Sequence, residues 1–157
     1  ERLARGLYRL SDAPPLGTPD FVTVTQKVPH SVICLISALA HHEMTTQIAH
    51  EVHVAIARNS EPPRLEYPPL RVYRFSGSAF SEGIEVVQMD GVPVRIYNRE
   101  KTLADCFKYR NRIGVDTALE AIRLYKERGR VDVESLMRYA KICRVASVMR
   151  PYLEAVL

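Results

Sequence analysis

Val28–Ile48 reads VPHSVICLISALAHHEMTTQI, and the fold turns on whether this stretch is a core helix or the rim of a chemical site. It holds three of the five histidines and one of the three cysteines. Pro29 breaks the chain, and Ser31 is placed to cap a helix over Val32–Met44. Val32, Leu35, Ile36 and Leu39 make one apolar stripe, and Cys34, Ser37, Ala38 and His41 make a second face of small residues. A helix that is apolar or small nearly all round belongs at the centre of a core.

The histidines do not build a site by their spacing. His41 and His42 are adjacent, so they point to different sides of the helix. His42 falls seven residues after Leu35 and closes the apolar stripe, while His41 extends the small face. His50 and His53 lie three apart across a loop-strand junction. A zinc site needs three or four converging His, Cys or carboxylate ligands, and neither an HExxH nor a CxxC spacing occurs. No metal and no cofactor is expected.

Upstream, Thr18-Pro19-Asp20 is a helix start with Pro at the first position. The run from Phe21 to Lys27 is rich in Thr and Val, as strands are, yet Phe21, Val24 and Val28 fall on a helical stripe; a helix is expected. Further upstream, Leu7–Leu10 reads as a strand and Ala13–Gly17 as a rigid linker. Arg2, Arg5 and Arg9 flank the strand as in the wing of a winged helix-turn-helix, where arginines contact phosphates. A basic edge strand explains them equally well.

Downstream, strands are expected over Glu51–Ala57, Leu70–Phe75, Ile84–Met89 and Val92–Tyr97, with a Pro-rich loop from Arg58 to Pro69. Asp90-Gly91 joins the last two as a hairpin, and Pro93 marks an edge position or a strand start. From Arg99 the apolar period changes from 2 to 3.6. Helices are expected over Thr102–Tyr109, Thr117–Arg128, Val133–Cys143 and Val145–Val156, with Asp132 and Ser135 starting the third. The order gives an α+β (mixed α/β) fold. It consists of a small, mainly antiparallel sheet packed by a central helix, then a four-helix C-terminal part.

The 157 residues suit one compact domain, and 46% apolar with 25% charged residues are ordinary values for a soluble chain. No apolar run is long enough to span a bilayer. Cys34, Cys106 and Cys143 are dispersed in apolar helical settings and read as reduced core thiols of a cytoplasmic protein. The chain opens on Glu1 rather than methionine, so upstream sequence is expected.

Charge is uneven. Residues 1–98 hold 9 Lys and Arg against 10 Asp and Glu, whereas residues 99–157 hold 13 against 8. Arg138, Lys141 and Arg144 share nearly one helix face, with no acid between them on that stripe. With Lys108, Arg110 and Arg112 they form the candidate patch for an acidic partner or nucleic acid. Enzymatic signals are weak. There is no nucleophile elbow and no phosphate-binding glycine motif. Glu85, Asp90 and Glu100-Lys101 only superficially match a nuclease, and Glu100-Lys101 reads as a capping and surface pair. No catalytic residue is assigned.

Three segments together resemble a known family: Val28–Ile48, Val94–Tyr125 (VRIYNREKTLADCFKYRNRIGVDTALEAIRLY) and Asp132–Leu157 (DVESLMRYAKICRVASVMRPYLEAVL). Their order and spacing are similar to the AbiEi family of antitoxins and transcriptional regulators of type IV toxin–antitoxin systems. The likeness runs from Leu3 to the C-terminus. It is a pattern of core segments, not a catalytic signature. It implies residues 1–17 as the remnant of a winged helix-turn-helix and 18–157 as an antitoxin domain. It implies two partners: a nucleotidyltransferase-like cognate toxin, and operator DNA bound through a winged helix whose recognition helix would lie upstream of Glu1. It places SALAHHE in a core helix leading into the Thr-Thr-Gln loop and supplies no catalytic residues. Two other functions compete: a stand-alone DNA-binding regulator with a dimerisation or sensing domain, and a nuclease or protein-modifying enzyme.

Overall fold

The structure, a computed structural model, describes residues 18–157. The wing strand, the linker and Arg2, Arg5 and Arg9 lie outside the described residues.

Thr18-Pro19-Asp20 does open a helix, α1 (Thr18–Lys27). Thr23 donates its hydroxyl to the Pro19 carbonyl at 3.0 Å, one turn back, which accommodates a β-branched residue in a helix. Phe21, Val24 and Val28 are buried, as the stripe predicted.

The stretch that follows departs from expectation. Val32–Ile33 form a short strand, β1, and the helix α2 spans only Leu35–His41. Ser31 does not cap it: its hydroxyl donates to the Val28 carbonyl at 2.8 Å, and Cys34 takes the N-cap place without a side-chain hydrogen bond. The physical reason is a neighbour on each side. Val32 pairs with Ala55, and Ile33 pairs with both Val54 and Ile96, so the backbone of two β-branched residues is satisfied across a sheet. The core character of the segment stands, since Leu35–Leu39 are all buried.

β2 (Val52–Ala57), β3 (Leu70–Phe75), β4 (Ile84–Met89) and β5 (Val92–Tyr97) match the expected strands, and a single turn of helix, α3 (Ser78–Ser81), intervenes before β4. The five strands lie in the order β3-β2-β1-β5-β4. The sheet is mixed rather than mainly antiparallel: β1–β2 and β4–β5 run antiparallel, β1–β5 and β2–β3 parallel. The Pro-rich segment 58–69 makes this possible. Parallel neighbours need about a dozen residues of connection, and the segment is long enough to return the chain to the start of β3. Pro93 is tolerated in an inner strand because β1 reaches β5 only at Ile96, leaving the Pro93 end without a ladder on that side.

The four predicted C-terminal helices are present as α4 (Arg99–Lys108), α6 (Val115–Glu127), α7 (Val133–Ile142) and α8 (Ala146–Val156), with a single turn, α5 (Arg110–Ile113), between the first two. Asn98 caps α4 by accepting from the Lys101 amide, and Asp132 caps α7 by accepting from the Ser135 amide. The sheet has two apolar faces. Val54, Val94 and Ile96 meet Phe21 and Val24 of α1 on one, and Ala55, Tyr73, Phe75 and Tyr97 meet the C-terminal helices on the other. Within the helical layer α4 is the hub, packing against α2, α6 and α7. Its approach needs Gly83, where a Cβ would stand 2.6 Å from the Cβ of Lys101 and where φ is +85°.

Candidate functional site

Two ends of α4 carry the chemistry worth following. At its first turn, Lys101 is fully buried, which corrects its reading as part of a surface pair. Its ammonium donates to both Asp105 carboxylate oxygens at 2.8 and 2.9 Å, one turn on. The same Nζ lies 3.9 Å from the centroid of Tyr97 and 4.9 Å from that of Phe75. Cys143 adds a weak S–H donor 3.5 Å from Asp105. Burial pushes the Asp105 carboxyl above its usual range, while Lys101 pulls the other way. Burial likewise raises the thiols of Cys34 and Cys106, and that of Cys143 to about 12, with the Asp105 charge adding to each. Thiols held protonated are poor nucleophiles. The cluster is a satisfied polar knot inside the core.

The nuclease-like residues do not converge. Asp90 sits in the hairpin turn, at one end of the β4–β5 ladder, while Glu100 and Lys101 follow the other end, where Ile84 pairs with Tyr97. Six residues of strand separate the two ends, roughly 20 Å. Glu100 accepts a hydrogen bond from the Tyr125 hydroxyl at 2.8 Å.

At the last turn of α4, Lys108 is exposed and opens on a cleft of about 900 Å3. Four pieces of chain converge there: Arg58 just past β2, Ser76–Ala79 just past β3, Lys108, and Ile142–Val145 between α7 and α8. Since Ala57 and Phe75 pair in the parallel β2–β3 ladder, the first two pieces leave the carboxyl ends of neighbouring parallel strands. Arg58, Lys108 and Arg144 give the cleft three cations, and no carboxylate among the described residues forms an ion pair with any of them.

Arg144 reaches the cleft through an uncommon backbone. It follows the Cys143 C-cap with φ +63°, in the left-handed region that glycine favours. The Val145 amide donates to the Ala140 carbonyl at 2.8 Å and the Arg144 amide to that of Lys141 at 3.1 Å, the paired bonds of a Schellman turn. An arginine in that place costs about 1–2 kcal/mol relative to glycine.

The predicted basic patch is therefore divided. Lys108 and Arg144 come together at the cleft, joined by Arg58, which the sequence reading missed because it lies 50 residues from Lys108 in a different half of the chain. Lys141 is exposed on α7 but does not line the cleft. Arg138 is occupied: it lies 3.5 Å from Glu82 and 4.5 Å over the Tyr139 ring. Arg110 donates to the Phe107 carbonyl at 2.6 Å, and Arg112 stacks 4.6 Å over Tyr73.

The histidines have structural work. A ring nitrogen of His42 lies 2.9 Å from the Tyr97 carbonyl, tying the end of α2 to the end of β5. His53 is buried, with Nδ1 3.0 Å from the Tyr73 hydroxyl, and its amide donates to Ser37. Burial lowers its pKa to about 4, helped by the positive charges of Arg71 and Arg112. The Thr-Thr-Gln loop is held by Glu120 of α6, which accepts from both the amide and the hydroxyl of Thr46 and from the Thr45 hydroxyl. No helix among the described residues is long and apolar enough to cross a membrane.

No protein-family model matches the chain, and no curated protein matches it.

Proposed function

We propose that the chain is the antitoxin part of an AbiEi-like regulator. It is a non-enzymatic, cytoplasmic binding module that neutralises a nucleotidyltransferase-like toxin, and its full-length form represses its own operon through an upstream winged helix. One observation supports a binding role most directly: Arg58, Lys108 and Arg144 present positive charge on one side of the domain with no carboxylate paired to them among the described residues. An acidic partner surface complements that charge and would be steered to it. The residues that could have served a nuclease are instead spread apart or bound into the core.

The test is coexpression with the neighbouring nucleotidyltransferase-like gene. Growth is expected to be rescued by the chain and rescued poorly by the Lys108→Glu, Arg144→Glu variant. Toxicity that persists with the unaltered chain present counts against an antitoxin and in favour of a stand-alone regulator. Full rescue by the charge-reversed variant would mean that the toxin does not contact this face.

A further inference from the structure

The geometry points to a binding site for an oligophosphate, such as a nucleoside triphosphate, in the cleft bounded by Arg58, Ser76, Ser78, Lys108 and Arg144. This inference does not rest on the antitoxin reading and holds equally for a stand-alone regulator.

Three independent features carry it. The first is unpaired charge in a concave place. Three arginines outside the cleft, Arg71, Arg128 and Arg138, each stand within 4 Å of a glutamate, at 3.8, 3.6 and 3.5 Å. The three cations of the cleft have no such partner among the described residues, and positive charge gathered in a concave place attracts an anion. The second is position. The cleft lies outside the carboxyl ends of two adjacent parallel strands, the place where open sheets with parallel strands hold their ligands. The third is the backbone of Arg144. Glycine would satisfy the same turn with less strain, so the arginine is held there against a local cost.

The chemistry of the walls selects the ligand. Guanidinium groups from Arg58 and Arg144 can grip phosphate oxygens in pairs, and the Lys108 ammonium supplies a point charge. The Ser76 and Ser78 hydroxyls can donate to further oxygens. Nothing lies within 4 Å of where a Gly77 Cβ would stand, so the turn between the two serines is open to an approaching ligand. Three cations match the charge of a chain of phosphates better than that of a single one. The volume, about 900 Å3, is large enough for a nucleotide. Ile142 is half-buried in the wall and offers an apolar surface to a base.

Isothermal titration calorimetry with the full chain at low salt tests the assignment. The probes are inorganic tripolyphosphate, adenosine and guanosine triphosphates, adenosine, and a single-stranded oligonucleotide. Binding is expected for tripolyphosphate and both triphosphates and not for adenosine. Tighter binding of either triphosphate than of tripolyphosphate would show that the base or ribose is also held. Arg58→Gln, Lys108→Gln and Arg144→Gly should each weaken binding roughly tenfold or more, while Arg150→Gln, an exposed cation on α8, should leave it unchanged. Arg144→Gly removes the strained side chain, so its melting temperature should hold or rise while affinity falls, which separates lost binding from lost folding. The assignment is overturned if tripolyphosphate and the triphosphates fail to bind at millimolar concentration. It is also overturned if the three substitutions leave affinity intact, or if only the oligonucleotide binds, which would mark a surface that follows a nucleic-acid backbone.

Discussion

Lys101 and Lys108 stand seven residues apart on the same helix, on the same side of it, in opposite surroundings. Lys101 is fully buried and held by Asp105 one turn away. Lys108 is exposed at the mouth of a cleft with no carboxylate paired to it among the described residues. The difference lies in what each end of α4 meets. The first turn is roofed by Tyr97, Phe75 and α7, whereas the last turn emerges where β2 and β3 end and the chain opens. A buried charge with its partner beside it belongs to stability. An exposed charge without one belongs to recognition.

Four sets of variants test that contrast. The largest effect is expected at the buried end. Asp105→Ala leaves the Lys101 ammonium without its partner and should cost about 3–5 kcal/mol in urea unfolding. Replacing the pair together, as Lys101→Met with Asp105→Leu, should recover most of that loss, because the cost lies in the unpaired charge. If the single and double variants are equally unstable, the pair is not what holds the knot.

Next in size is a buried group that must stay neutral. The folded pKa of His53, about 4, lies below its ordinary value of 6.5. Between those values the unfolded chain binds a proton that the folded chain refuses. Stability is therefore full above pH 6.5 and falls as pH drops towards 4, by roughly 2–3 kcal/mol from this residue. Unfolding curves at pH 7 and 4.5 should differ less in His53→Asn than in the parent chain. An unchanged difference would assign the acid sensitivity to other groups.

A smaller effect of opposite sign separates two helix ends built alike. α2 closes with Glu43 at φ +59° and α7 with Arg144 at φ +63°, each in a Schellman turn: Met44 donates to Leu39 at 2.8 Å as Val145 does to Ala140. Glu43 is met by Arg128 at 3.6 Å, and Arg144 by no carboxylate among the described residues. Arg144→Gly should raise stability by about 1 kcal/mol, since it relieves the backbone and breaks no ion pair. Glu43→Gly should gain slightly less, because an exposed pair is lost. Thermal denaturation of both variants decides it, and a destabilised Arg144→Gly would mean that the side chain packs rather than waits for a ligand. The smallest effect is expected at Lys108, where Lys108→Gln should shift unfolding by no more than about 0.5 kcal/mol. A larger loss would place Lys108 in the core network after all.

Local patterns carried much of the fold. The strand-forming runs Ile84–Met89 and Val92–Tyr97, with Asp90-Gly91 between them, gave the hairpin to the residue. The 3.6 period after Arg99 gave four helices, and Asp132 with Ser135 gave a cap that the hydrogen bond bears out. These signals act over a few residues, so one sequence suffices to read them. Val32–Ile33 failed for the opposite reason. Its strand exists because β2 and β5 lie on either side, and no local pattern reports a neighbour 63 residues away, as Ile96 is from Ile33. The candidate site was half legible. Lys108 and Arg144 stood out as cations on helices, but Arg58 lies in a Pro-rich loop with no charge pattern around it, and Arg138 looked free until Glu82 met it.

The amino-acid sequence alone determined the α+β class, the four longer strands followed by four C-terminal helices, the buried thiols and the basic excess of the C-terminal part. Periodicity, capping and composition are properties of neighbours in the chain. The tertiary structure alone decided that the sheet is mixed, that Lys101 is a core residue, and that Arg58, Lys108 and Arg144 share one cleft. Each of those depends on which distant segments meet, and a charge becomes buried or available only when something closes over it or leaves it open.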